Sequence, residues 1–216
     1  MFPTMRTLAF LLLLAGRAWC AEVPPVGPAI DVREAAAADA LAALRAQVDG
    51  SNFRDAGFES PGEVARARLG PELPVYWGVR AQWARYRPED GPDTVLTRLG
   101  RSLRLVTVDG KARCVIELEY RDGRWDRQFF GSGGLARRIA AAQGAASRVA
   151  PASTGSDFLV DIVAMRFRLL GRRQGARTTL TALADGYGLS AGETRPADEI
   201  ILRLGAIAKQ ELESGR

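Results

Sequence analysis

The chain contains no histidine among its 216 residues. Histidine provides the general base of Ser-His-Asp and Cys-His catalysis, and its imidazole is a common ligand of zinc and iron. Those mechanisms and those metal sites are therefore excluded. No other catalytic or metal-binding motif stands out in the sequence, so we assign no catalytic residue and expect no bound metal.

Cysteine is almost as scarce and occurs only as Cys20 and Cys114. If Cys20 is removed with an N-terminal signal, Cys114 has no partner for an intrachain disulfide. A single thiol also excludes an all-thiolate metal site, a Cys-x-x-Cys redox pair and an iron-sulfur cluster. Cys114 continues an alternating apolar pattern, which predicts a buried strand residue rather than a nucleophile. We expect no cofactor.

Lysine occurs only as Lys111 and Lys209, so arginine carries nearly all of the positive charge. The formal net charge is +5, and removal of Arg6 and Arg17 with the signal lowers it to +3. Arginine and aspartate are interspersed along the chain instead of forming one basic face. This pattern argues against nucleic acid as a partner.

Long apolar runs are absent, since none approaches the roughly 20 residues that a membrane-spanning helix requires. A short apolar run from Leu8 to Ala15 follows Arg6 and precedes a small and polar stretch around Gly16 to Ala21. This order is typical of a cleavable signal peptide, which we assign to residues 1–20. The mature protein is predicted to be exported, to the periplasm or outside the cell, without a transmembrane segment.

Cys20 leaves a lipid anchor open as an alternative, because bacterial lipoproteins keep a cysteine as their first mature residue. Trp19 argues against this alternative, since a small residue normally precedes a lipidated cysteine. We therefore expect cleavage between Ala18 and Ala21 and an N-terminus without lipid.

The rest of the chain divides into segments by composition. Prolines at positions 24, 25 and 28 remove backbone donors and predict an extended tether. An excess of alanine, serine and glycine predicts a later linker or long surface loop. The predicted segments are the tether (21–32), an α+β domain or first subdomain (33–143), the linker (144–156), and a second β-hairpin with a C-terminal helix (157–216).

Helix-capping signals mark the first half of the chain. Asp31 is placed to cap a helix that extends to about Val48. The segment from Ser60 to Glu63 has the pattern of a capping box with proline at the first helical position. It predicts a short helix that closes at Gly70, after which Pro71 begins extended chain.

Two Asp-Gly pairs, Asp109-Gly110 and Asp122-Gly123, join three alternating segments and are strong hairpin signals. With two-residue loops, the predicted register pairs Leu105 with Cys114, Leu103 with Ile116, Ile116 with Phe129, and Tyr120 with Trp125. All of these residues then lie on one face. Both hairpins therefore predict one antiparallel meander with a single buried face.

The second half is predicted to form another hairpin followed by a helix. Strands are expected at Phe158 to Leu170, with a bend or bulge, and at Arg177 to Leu183, around a turn at Gly171 to Gly175. A helix from about Pro196 to Leu212 follows.

The predicted elements together indicate an α+β fold, with an antiparallel β-meander sheet and helices packed on one face. Because both halves end in a hairpin and a helix, two small similar subdomains are an alternative to one domain. The order of helix then meander resembles that of cystatin-like folds, in element order only.

The segment from Tyr76 to Arg98 is the densest in aromatic and basic residues. Tyr76, Trp77, Trp83 and Tyr86 accompany four arginines there. Exposed aromatic and arginine side chains dominate binding hot spots, so these four aromatic residues are the candidate binding residues. The alternative is that Tyr76 or Trp77, together with Trp83, packs in the core beneath the meander.

Asp161 is the candidate buried acid, because it lies in the otherwise apolar run from Leu159 to Val163. An acid in such a setting has a raised pKa or an arginine partner, for which Arg166 and Arg168 are candidates. A structural ion pair is the favoured interpretation.

Three functional hypotheses follow. The favoured one is a noncatalytic, exported protein of a bacterial cell envelope that binds a protein, peptide or envelope polymer. The first alternative is an unusual enzyme based on carboxylate and arginine chemistry, with Asp161 as its acid. The second is a structural or assembly factor that binds no small ligand.

Overall fold

The computed structural model describes residues 29–149 and 155–214. The predicted signal peptide with Cys20 and residues 21–28 of the predicted tether lie outside this part of the chain. The helices are α1 (Ala29–Gln47), α2 (Pro61–Arg66), α3 (Arg80–Trp83), α4 (Gly133–Val149) and α5 (Ala197–Glu213). The strands are β1 (Arg68–Gly78), β2 (Leu96–Val108), β3 (Lys111–Arg121), β4 (Arg124–Gly131), β5 (Ser156–Ile162), β6 (Phe167–Gln174), β7 (Arg177–Ala182) and β8 (Thr194–Pro196).

The strands form one open sheet in the order β4-β3-β2-β1-β5-β6-β7-β8. β1 and β5 are parallel neighbours, whereas the other neighbouring strands are antiparallel. Two antiparallel meanders therefore share one sheet and meet at their first strands. The predicted α+β class and the meander are confirmed, and the division into two subdomains stays a prediction.

The helices lie on both faces of the sheet, so the expectation that they share one face is wrong. Within β2, Leu103 and Leu105 belong to the same core cluster as Ile139 of α4, whereas Val106 belongs to that of Leu44 in α1. Successive strand residues point to opposite faces, which places α1 and α4 on opposite sides. Alternate residues of β5 belong to the core clusters of α5 and of α4, so α5 lies on the face opposite α4. That face is the one that α1 also covers. The central strands are thus apolar on both faces.

Both Asp-Gly turns form, with positive φ at all four of their residues. Tyr120 opposes Trp125 as predicted. The rest of the predicted register is wrong by one residue, because each hairpin contains a β-bulge. The observed pairs are Cys114 with Val106, Ile116 with Arg104, and Ile116 with Phe130.

Arg113 is the extra residue of the first bulge. Cys114 pairs with Val106 and Ala112 pairs with Thr107, which leaves Arg113 without a partner in the ladder. Its buried guanidinium forms two ion pairs, with 2.6 Å from Nη1 to Glu59 Oε1 and 2.6 Å from Nη2 to Glu63 Oε1. Because a bulge redirects the side chain that it carries, this one directs Arg113 toward the start of α2.

α2 begins at the predicted proline but is not held by the predicted capping box. Ser60 forms no side-chain capping hydrogen bond. Instead, the backbone N–H of Glu59 donates to Glu63 Oε2 at 2.8 Å, while Glu63 Oε1 faces Arg113. The helix ends at Arg66 and not at Gly70, which lies in β1.

Pro71 and Pro74 lie inside β1, although proline is unusual in a central strand. β5 pairs with β1 only from Val75 onward, so neither proline has to donate a hydrogen bond to that neighbour. On the other side of β1, the ladder is interrupted between Leu69 and Glu72. The prolines that predicted extended chain after the helix therefore lie within the strand itself.

Other boundaries also differ from those predicted. Asp31 lies inside α1 instead of capping it, and α4 continues to Val149, into the predicted linker. The single strand predicted at 158–170 is two strands, β5 and β6, which are separated by a tight turn at Arg166. β6 then runs through most of the turn predicted at Gly171 to Gly175. α5 is confirmed within one residue at each end.

Candidate functional site

Two of the four candidate aromatic residues are part of the core. Trp83 is 2% exposed, and its Nε1–H donates to the carbonyl oxygen of Val95 at 2.9 Å. Tyr86 is also buried, and its hydroxyl donates to the Asp198 carboxylate of α5. Burial and that carboxylate raise the pKa of Tyr86. Both residues therefore fix α3 and the following turn to α5. Trp83 is a core residue, as the alternative proposed, but its cluster consists mainly of residues from β5, β6 and α5.

Tyr76 and Trp77 point to opposite faces of β1. Tyr76 is partly buried against the edge of the Phe158 ring, with 5.0 Å between ring centroids, and its hydroxyl accepts from Arg173 Nη1 at 3.0 Å. Trp77 is 41% exposed. Of the four candidates, only Trp77 presents a large exposed apolar surface.

Asp161 is buried and is paired with an arginine. It lies beside Trp77 of β1 in the parallel register and opposite Arg168 of β6. Arg168 Nη2 donates to Asp161 Oδ2 at 3.1 Å, which confirms the predicted arginine partner and selects Arg168 over Arg166. Residues in register on neighbouring strands share a face, so Trp77, Asp161 and Arg168 form a row across three strands.

This row borders a cavity of about 460 Å³ on the α4 side of the sheet. The polar lining residues are Arg138 of α4, Asp161, Arg166 and Arg168. Leu135, Phe167 and Leu183 form apolar parts of the wall. We call this cavity the arginine pocket.

The arginine pocket carries three guanidinium groups and one carboxylate. Arg168 is paired with Asp161. Arg138 and Arg166 are exposed, and neither forms an ion pair with any residue in the described part of the chain. The pocket therefore has an excess of positive charge that is available to an anion, and arginine is well suited to bind carboxylate or phosphate groups.

Arg166 is held in an unusual backbone conformation. Its φ of 50° and ψ of 38° lie in the left-handed region, which a residue with a Cβ occupies at a cost of roughly 1 to 2 kcal/mol. Glycine or asparagine would be the usual choice for this turn. The turn lies between β5 and β6, and it places Arg166 in the lining of the pocket.

A second cavity, of about 430 Å³, lies near the start of β5 and contains Tyr76. Most charged groups there already have partners: Arg173 pairs with Asp93, and Asp157 accepts two hydrogen bonds from Arg172. This cavity offers less unpaired charge than the arginine pocket. We therefore take the arginine pocket, with Trp77 beside it, as the candidate site.

Sequence reasoning identified Trp77, Asp161 and its two candidate partners Arg166 and Arg168, but it missed Arg138 as a site residue. Arg138 precedes Asp161 by 23 positions in the sequence, and helices were expected on one face of the sheet only, so no local pattern connected the two residues. The only signal for the turn at Arg166 was its place between two apolar strand segments. That signal was interpreted as a bend within one strand.

Cys114 and the acidic residues offer little for catalysis. Cys114 is fully buried, as predicted, and burial raises the pKa of its thiol to about 12. Within residues 29–149 and 155–214, no cluster of three or more cysteine or acidic side chains is placed to hold a metal ion. No helix in those same ranges has the length and apolar character needed to cross a membrane.

Comparison with protein-family models, curated proteins and solved structures finds no significant match to this chain. The geometry and charge of the arginine pocket are therefore the basis for a proposed function.

Proposed function

We propose that this protein is an exported, noncatalytic binding protein of a bacterial cell envelope. Its arginine pocket holds an anionic group of a larger partner, which is a protein, peptide or envelope polymer. The order of charged, apolar and small residues in segment 1–20 supports export, and the unpaired guanidinium groups of Arg138 and Arg166 support the choice of ligand.

One observation carries this proposal: three guanidinium groups line one cavity, and no side chain there is free to act as a general base or a nucleophile. Arg138, Arg166 and Arg168 line the same cavity, but its one carboxylate, on Asp161, is already engaged with Arg168. The chain has no histidine, and its described cysteine is buried. Such a site has donors to position an anion but no group prepared to transfer a proton or attack a substrate.

Replacing Arg138 and Arg166 together with glutamine is expected to weaken the binding of anionic polymers about tenfold. An exposed charge pair contributes about 0.2 to 1 kcal/mol, so the loss of two amounts to about this factor. The measurement is isothermal titration of the full exported chain with poly-L-glutamate, polyphosphate and polygalacturonate, at low and at physiological salt. Binding should weaken as salt screens the charges.

The matched control is the double substitution Arg148→Gln with Arg177→Gln. Both residues are exposed and lack ion pairs within the described residues, but they lie at the opposite end of the sheet and of α4. The control removes the same charge and should change affinity less than twofold. Equal losses in the two double variants would show that net charge alone binds the polymers. Turnover of any substrate that Asp161→Asn abolishes would contradict the noncatalytic assignment.

A further inference from the structure

Trp77 extends the polar row of the arginine pocket with an exposed aromatic surface. The residue is 41% exposed, and in the strand register it lies one strand from Asp161 and two strands from Arg168. Neighbouring strands are about 4.8 Å apart, so the row places a ring, an acceptor and a cation within about 10 Å. A ligand that lies along the row contacts all three groups at once.

Asp161 restricts which anions suit this row. Its Oδ2 accepts from Arg168, whereas its Oδ1 forms no hydrogen bond with any residue that the structure describes. A carboxylate beside the guanidinium groups repels a ligand that has only negative groups. The same carboxylate accepts hydrogen bonds from hydroxyl groups. The row therefore favours a ligand that carries both hydroxyl groups and an anionic group.

We propose that the arginine pocket and Trp77 together bind an acidic polysaccharide. The apolar C–H face of one sugar ring stacks on the Trp77 indole, its hydroxyl groups donate to Asp161, and a ring carboxylate is held by Arg138 and Arg166. This inference rests on the proposed function, because it names the ligand class of the same site. An acidic peptide supplies the carboxylates but not the ring that carries hydroxyl groups.

The test compares polygalacturonate, poly-L-glutamate and neutral dextran as probes in titrations of the full exported chain. Polygalacturonate should bind about tenfold more tightly than poly-L-glutamate of matched charge, and dextran should bind weakest. Trp77→Leu should lower the affinity for polygalacturonate about three- to tenfold, the usual value of one aromatic stacking contact, and leave poly-L-glutamate unaffected. Phe129→Leu is the matched control, since Phe129 is 47% exposed on the edge strand β4, and it should change neither affinity.

Asp161→Asn tests the second part of the inference. Removal of this negative charge should strengthen the binding of poly-L-glutamate and weaken that of polygalacturonate, which loses a charged acceptor for its hydroxyl groups. A general effect on folding would move both affinities in the same direction. The thermal unfolding midpoint of each variant identifies such an effect.

The outcomes separate this inference from the proposed function. Equal affinity for both acidic polymers, with no effect of Trp77→Leu, overturns the polysaccharide inference. The proposed function survives that result if Arg138→Gln with Arg166→Gln weakens both polymers. Dextran binding as tight as that of polygalacturonate overturns the acidic character of the ligand, and absence of binding by every polymer overturns both proposals.

Discussion

Arg113→Ala is expected to lower the free energy of unfolding by about 3 kcal/mol, in the range found when one partner of a buried ion pair is removed. Arg113 and Glu63 are both more than 90% buried. The substitution leaves the Glu63 carboxylate buried with one remaining donor, the Glu59 N–H. Chemical denaturation followed by circular dichroism at pH 7 measures the loss.

Two control variants define the cause of that loss. Arg121→Ala removes an exposed ion pair with Glu119 from the same strand and should cost less than about 1 kcal/mol. Replacing Arg113 with methionine and Glu63 with leucine together removes both charges and should recover most of the loss. A double variant as unstable as Arg113→Ala would show that the packing of Arg113, and not its charge, holds α2 to the sheet.

The deficit of Arg113→Ala should shrink in acid. Burial raises the pKa of Glu63, but the Glu59 N–H and Arg113 together lower it by more, so its pKa lies below the ordinary value of 4.5. The stabilising contribution of the charged form is therefore complete above pH 4.5 and is lost as the pH falls through the lowered folded-state pKa. A deficit that stays constant between pH 7 and pH 3 would contradict the ion-pair explanation.

Gly205→Ala is expected to destabilise the protein by about 1 to 3 kcal/mol, as overpacking of a well-packed core does. Gly205 lies in α5 where the helix packs on α3, and an added Cβ would overlap the Trp83 carbonyl oxygen and lie 3.0 Å from its carbonyl carbon. A backbone group yields less readily than a flexible side chain. Because alanine otherwise favours a helix over glycine by about 1 kcal/mol, any loss must come from this contact.

Gly144→Ala is the matched control for Gly205→Ala. Gly144 also lies inside a helix, α4, but an added Cβ there would meet nothing within 4 Å. Alanine should stabilise the protein at this position by up to about 1 kcal/mol. Thermal unfolding midpoints of the two variants should therefore move in opposite directions, and a rise in both would contradict the close packing of α5 on α3.

Local signals in the sequence predicted those parts of the fold that local chemistry determines. The Asp-Gly turns, the C-terminal helix and the burial of Cys114 all follow from residue types within a few positions of one another. In the first hairpin the predicted register failed after the two pairs nearest the turn, because the Arg113 bulge depends on Glu59 and Glu63, which are about fifty positions away. No alternation pattern contains that information.

The candidate site was predictable only in part, for a similar reason. A buried acid in an apolar strand predicts an arginine as its ion-pair partner. Arg168 is seven residues away from Asp161, on the next strand. Arg138 reaches the pocket because helices cover both faces of the sheet, whereas helices were expected on one face only. Trp83 and Tyr86 resembled Trp77 in sequence context, but α5 covers them and leaves Trp77 exposed.

The most direct test of the binding account is a titration of the arginine side-chain N–H signals in a ¹H–¹⁵N spectrum. With polygalacturonate as the titrant, the Nε–H signals of Arg138, Arg166 and Arg168 should shift together and saturate at one concentration. Those of Arg148 and Arg177, at the other end of the sheet, should stay in place. Shifts distributed evenly over all exposed arginines, or confined to residues outside the pocket, would contradict the account.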